Sequence, residues 1–150
     1  MQLVEQHIIE KGDPRWTRLD TVAFASKNLW NAANYLVRQS FIHHGIYLDN
    51  VKVFHLIAYL ALPAKVSNQV LIQLHQAWKG FFEAMDEWRE HPEKFVGRPK
   101  LPGYKPKEHG RNLLVYEFKA ISKRALKWGM ISLTGLGDLV PTKKTRATIK

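Results

Sequence analysis

The stretch that decides the fold is Ala77–Lys107, AWKGFFEAMDEWREHPEKFVGRPKLPGYKPK. Its first half sets Trp78, Phe81, Phe82, Met85 and Trp88 at steps of three and four, the spacing of a single helical face. Its second half is punctuated by Pro92, Pro99, Pro102 and Pro106 and carries Arg98, Lys100, Lys105 and Lys107. Proline gives no N–H to a helix and pushes the residue before it out of helical geometry, so the helix is expected to end at His91. A core-forming element thus passes abruptly into an extended cationic one.

Toward the N-terminus the same stripe continues through Val66, Val70 and Leu74, which predicts a helix over 64–90 that begins after Pro63. Residues 50–61, NVKVFHLIAYLA, read as a short helix capped by Asp49 or Asn50, with Val53, Leu56, Ile57 and Leu60 facing in. A buried strand is the alternative for so short an apolar run. Asp13-Pro14 has the chemistry of a helix start, and Gly45 that of a stop. Between them Trp16, Leu19, Val22, Leu29, Trp30, Ala33, Val37 and Phe41 mark one apolar stripe. The same helix carries a polar ridge, Ser26, Lys27, Asn28, Asn31, Asn34, Arg38 and Gln39, expected to be its wet face or a second nucleic-acid contact. Residues 2–10 form a weak strand candidate, with Val4 and Ile8 on one face and Leu3 and Ile9 on the other.

Toward the C-terminus, residues 97–111 hold three prolines and three glycines and are expected to be extended chain. LLVYEFK (113–119) alternates with Leu114, Tyr116 and Phe118 on one face, a strand pattern. Further strands are expected at MISLTG (130–135), around LVPTKK (139–144), where Pro141 implies an edge or bulge, and at RATIK (146–150). The order is strand, three helices, basic strip, strands, an α+β class. Too few strands follow the helices to stand alone, so residues 2–10 are expected to join them, with the helices as one long insertion.

Charge divides the chain at the same hinge. Residues 1–95 hold 10 basic and 10 acidic side chains, and residues 96–150 hold 13 basic and 3 acidic, so the whole net charge of +10 lies in the last third. Such segregation suits a phosphate backbone. Arg98, Lys100, Lys105, Lys107 and Arg111 can follow it, Tyr104 can stack on a base, and Lys119, Lys123, Arg124 and Lys127 form a second basic ridge beside Trp128.

Cysteine is absent, which excludes disulfides and thiolate zinc sites within the chain and fits a cytoplasmic location. The longest apolar run, Val53–Ala64, falls short of the roughly 18 residues that span a bilayer. The N-terminus has no signal-peptide pattern. The seven histidines form no metal-binding frame, and neither a phosphate loop nor a nucleophile elbow is present. No catalytic residue, metal site or cofactor is assigned.

Three segments together carry a family likeness: SKNLWNAANYLVRQSF (26–41), LPAKVSNQVLIQLHQAWKGFF (62–82) and HPEKFVGRPKLPGYKPK (91–107). They closely resemble the N-terminal region of OrfB/TnpB-type insertion-sequence transposases, and GMISLTGLGDLVPTKK (129–144) looks like the family's next portion. The resemblance implies the N-terminal part of an RNA-guided DNA nuclease related to type V CRISPR effectors. The implied fold is a small split β-barrel, wedge-like, with an inserted three-helix bundle. Residues 1–12 would give the first barrel strand, 13–95 the inserted recognition-like bundle, and 96–150 the basic strip and remaining strands. Guide RNA, DNA or an RNA–DNA hybrid are the implied partners. Cleavage in the family belongs to a later RuvC-like domain, so this stretch is expected to bind and not to catalyse. A transposase remnant acting as a protein-interaction module is the alternative. A helix-turn-helix DNA-binding protein is less well supported, because the helices sum to neutral charge.

Overall fold

The structure, a computed structural model, describes residues 4–57 and 61–143. Three helices make the body: α1 (Trp16–His44), α2 (Asn50–Leu56) and α3 (Ala64–Glu90). A one-turn helix, α4 (Lys123–Lys127), and an antiparallel hairpin, β1 (Met130–Leu133) and β2 (Gly137–Pro141), follow. The class is mixed helix and sheet, and the described residues hold a two-stranded sheet, not a barrel. No helix among them is long and apolar enough to cross a membrane.

Local chemistry accounts for the helix ends. The Asp13 carboxylate accepts from the Arg15 N–H at 2.8 Å and from its guanidinium, so a turn precedes the first residue of α1. At the other end Gly45 adopts φ 65°, a conformation that costs glycine nothing, and its N–H reaches the Phe41 carbonyl at 3.0 Å. Asp49 caps α2 by accepting from the Lys52 N–H at 2.9 Å. That helix stops at Leu56, which is exposed rather than inward as expected; Leu60 lies outside the described residues. His91, with φ −135°, ends α3 where Pro92 requires it.

The stripes meet as the sequence predicts. Leu29, Trp30, Ala33 and Val37 of α1 pack with Val66, Val70, Leu71, Leu74 and Trp78 of α3, and Val53 of α2 joins them. Trp78 is fully buried, and its ring sits edge-on to Phe41 with centroids 5.4 Å apart. A smaller cluster gathers Leu136, Leu139 and Val140 of the hairpin against Ile9, Leu19 and Val22. Arg15 and Arg18 seat the hairpin on α1 by donating to the Leu139 and Leu136 carbonyls, each at 2.9 Å.

Two expected strands are corrected. Residues 4–10 form no strand. They meet the far end of the hairpin through side chains, with the Lys143 N–H donating to the Glu5 carboxylate at 3.0 Å and its ammonium to the Gln6 carbonyl at 2.7 Å. Residues 113–119 also form no strand, ending in a short turn at Phe118–Ala120. Leu114 and Tyr116 do face inward, but onto the helical core. The segment that runs beside β1 is 120–122, where the Ser122 N–H donates to the Ser132 carbonyl and the Thr134 N–H to the Ala120 carbonyl, both at 2.9 Å. The expected strands at 130–135 and 139–144 appear as β1 and β2, the latter ending at Pro141. The strand expected at 146–150 lies outside the described residues.

Candidate nucleic-acid interface

Most of the polar ridge of α1 is not a wet face, although Asn28 is exposed. The ridge holds the basic strip. Lys27, Asn31, Asn34 and Arg38 recur at steps of three and four, so they stack along one side of the helix. Lys27 donates to the Lys107 carbonyl and Asn31 to that of Lys105 at 2.9 Å. Asn34 and Arg38 both donate to the Pro102 carbonyl at 2.9 Å, and the Trp30 indole donates to Gly103 at 3.1 Å. The strip therefore runs opposite to α1, from Pro102 beside Arg38 to Lys107 beside Lys27. The dimensions agree: the helix from Lys27 to Arg38 advances about 16 Å, and extended chain from Pro102 to Lys107 covers about the same.

Burial shows how tightly the two elements close. Ser26, Lys27 and Asn34 are all buried, Lys27 with only 1% of its surface exposed. The Lys27 ammonium meets the Lys107 carbonyl and lies 3.7 Å from the Phe24 ring centroid, so carbonyl and π-face take the place of water. Asn34 also accepts from the Trp78 indole at 3.0 Å, which ties strip, α1 and α3 into one network.

The belt continues over α3. Lys65, Gln69 and Gln73, again four apart, donate to the Lys119 carbonyl at 3.2 Å, to the Glu117 carboxylate, and to the Leu113 carbonyl at 3.2 Å. Between the two rows, Asn112 is buried and donates to Ser26 at 3.0 Å and to Gln73 at 3.2 Å. The preceding bend needs Gly110, because a side-chain carbon there would stand 2.4 Å from the Pro106 carbonyl oxygen. Residues 102–119 thus form one ordered belt across both long helices.

With its carbonyls turned to the helices, the belt presents cations outward. Lys100 and Lys107 are exposed. Arg98 is exposed, with its guanidinium 6.0 Å from the Trp88 ring centroid. Lys105 is half-buried, its ammonium 4.7 Å from the Trp30 centroid. Tyr104, about half exposed, has the Arg38 guanidinium 5.1 Å from its ring. Arg111 differs from the others: it makes a two-point ion pair with Asp20, at 2.7 and 2.9 Å. That hydrogen-bonded pair lowers the Asp20 pKa below its ordinary value and raises that of Arg111.

The second ridge is separate from the first. Lys119, Lys123, Arg124 and Lys127 are all exposed around α4, and Lys123 lies 4.5 Å from the Phe118 centroid. At the end of α3 the exposed acidic residues pair with neighbours, Asp86 with Arg89 at 2.8 Å and Glu87 with Lys94 at 2.6 Å. No group of three or more His, Asp or Glu that could hold a metal occurs among the described residues. His75 instead bonds the Tyr47 hydroxyl at 2.6 Å, and burial, helped by Asp49, pushes that phenol up to about 12. An open cleft of about 450 Å³ beside the hairpin includes His7, Arg15 and Lys143 in its wall, each already bonded within the chain.

The anchoring residues Lys65, Gln69 and Gln73 were missed in the sequence, although their four-residue spacing was there to find. Compared with protein-family models, curated proteins and solved structures, the chain matches none.

Proposed function

We propose that the chain binds the phosphate backbone of structured RNA or an RNA–DNA hybrid, without reading base sequence. The observation that carries this is the belt. A linker between subdomains would leave its carbonyls to water, whereas here Pro102, Gly103, Lys105 and Lys107 are all held by α1. A fixed track of cations loses little freedom on binding a regular polyanion. Lys105 and Lys107 lie on that held track, Arg98 and Lys100 on the chain that leads into it, and Tyr104 flanks it. Lys119, Lys123, Arg124 and Lys127 form a second contact. Arg111, matched by Asp20, serves the fold.

Together with the resemblance, this supports reading the chain as the nucleic-acid-gripping part of a transposase-like, RNA-guided nuclease. Cleavage is left to another domain of such a protein. In the same reading the hairpin, with residues 120–122 beside β1 and Ile9 against its apolar cluster, belongs to a small wedge-like barrel into which residues 13–95 are inserted.

Fluorescence anisotropy with a labelled RNA hairpin and an RNA–DNA hybrid tests this. Affinity should fall steeply between about 50 and 200 mM salt. Binding that is flat over that range overturns the reading. It would favour the second one, a protein-interaction module, for which Ile42, Ile46, Val51, Phe54 and Leu56 stand exposed near the α1–α2 junction.

A further inference from the structure

One large aromatic in the basic third stands on the surface. Trp128 is 83% exposed, and no ring contact involves it among the described residues. Its backbone, by contrast, is pinned. Ser122 caps α4 by accepting from the Ala125 N–H at 3.2 Å, and the Trp128 N–H donates to the Ala125 carbonyl at 2.9 Å. Gly129, at φ 74°, then turns the chain into β1, and its carbonyl accepts from the Thr142 N–H at 2.8 Å. The indole therefore projects from a fixed base.

We propose that Trp128 is a stacking platform for an unpaired base of a single-stranded segment, with Arg124, Lys123 and Lys127 on the neighbouring phosphates. This rests on the nucleic-acid reading above and names the kind of strand that this end of the molecule takes. Arg124 stands in the single turn of α4 that leads into Trp128. Lys123 and Lys127 stand in the same turn. The only acidic residue between Asn112 and Gly137 is Glu117, and Gln69 already engages it. Glu117 keeps its charge and Asp138 lies on β2, but Lys119, Lys123, Arg124 and Lys127 outnumber them, so the surroundings attract a polyanion.

A base inside a duplex has both faces covered, so away from the duplex ends a flat ring on the surface meets only an unpaired one. Phe118 is the other exposed ring here, but Lys123 lies over it, which leaves Trp128 as the open face. A membrane surface fits less well. Interfacial helices present a continuous apolar face. Here the apolar residues Ala125 and Leu126 are half-buried against the fold, and the indole stands alone among cations.

The test compares a labelled oligouridine of about 12 nucleotides with a blunt RNA duplex of similar length, using the full chain. Trp128→Ala should weaken single-strand binding about 10-fold or more and duplex binding less than about 2-fold. Trp128→Phe should recover most of the loss, and thermal melting should show both variants folded. Equal losses on the two probes, or no loss on the single strand, overturn the proposal. So does binding to phosphatidylserine vesicles that is lost in Trp128→Ala while oligouridine binding is kept. If the duplex is bound with steep salt dependence but Trp128→Ala leaves the single strand unaffected, this inference alone fails. If the unmodified chain binds neither probe, the reading beneath it fails as well.

Discussion

The carboxamide of Asn31 closes a two-bond ring with the backbone of Lys105, donating to its carbonyl at 2.9 Å and accepting from its N–H at 2.8 Å. A side chain here does what a neighbouring strand would do. It pairs both polar groups of one residue in an extended segment that has no sheet to join. Asn34, one helical turn on, serves the next part of the strip while receiving the Trp78 indole.

Removing these amides should loosen the belt in graded fashion. Asn31 is half-buried, so Asn31→Ala should cost about 1–2 kcal/mol, with water taking over part of its role. Asn34 is fully buried. Asn34→Ala leaves the Trp78 N–H unpaired and the Pro102 carbonyl with Arg38 alone, and should cost about 2–4 kcal/mol. Urea unfolding midpoints at constant m-value would rank the two. Equal costs would mean that the network around Trp78 is not closed to water.

Acid should weaken the chain through carboxylates bonded to cations, Asp13 and Asp20 among them. The Arg15 side chain first, and its backbone N–H second, hold the Asp13 pKa down at about 2, against an ordinary 3.8. The hydrogen bond from Arg111 lowers that of Asp20. A carboxylate with a depressed folded pKa stabilises fully above its unfolded value and loses that contribution as pH falls through the folded one. The melting temperature should therefore drop between about pH 4 and pH 2. Asp20→Asn should melt lower than the unmodified chain at neutral pH and decline less steeply toward pH 2.

Cations of the belt should separate into those that bind and the one that holds. Lys100→Ala and Lys107→Ala should each reduce the slope of log affinity against log salt by about 1, with melting unchanged. Arg111→Ala should do the reverse: the slope stays, and melting falls because Asp20 loses its partner. A slope that drops with Arg111→Ala would mean that its pair with Asp20 opens to phosphate.

The helices were legible because their signals are local. Apolar residues at steps of three and four, Asp49 before α2, Gly45 after α1 and Pro92 after α3 each act within a turn or two of chain. The separation of charge at the hinge was legible for the same reason, since it needs only counting. The strands were less so. The alternation at 113–119 does put Leu114 and Tyr116 inside, yet an inward-facing extended segment looks the same whether a strand or a row of helix side chains bonds its backbone.

That ambiguity marks the boundary between the two levels. By itself the sequence determined two long helices, an extended basic strip and a cationic last third. Only the tertiary structure decided that most of the polar ridge of α1 faces the strip rather than water, that Arg111 belongs to Asp20, and that Trp128 stands open. A polar side chain every third or fourth residue satisfies water and a backbone carbonyl equally well, so its pattern cannot say which it meets. Packing chooses, because burying Lys27 and Asn34 is tolerable only where the strip supplies the carbonyls that replace water.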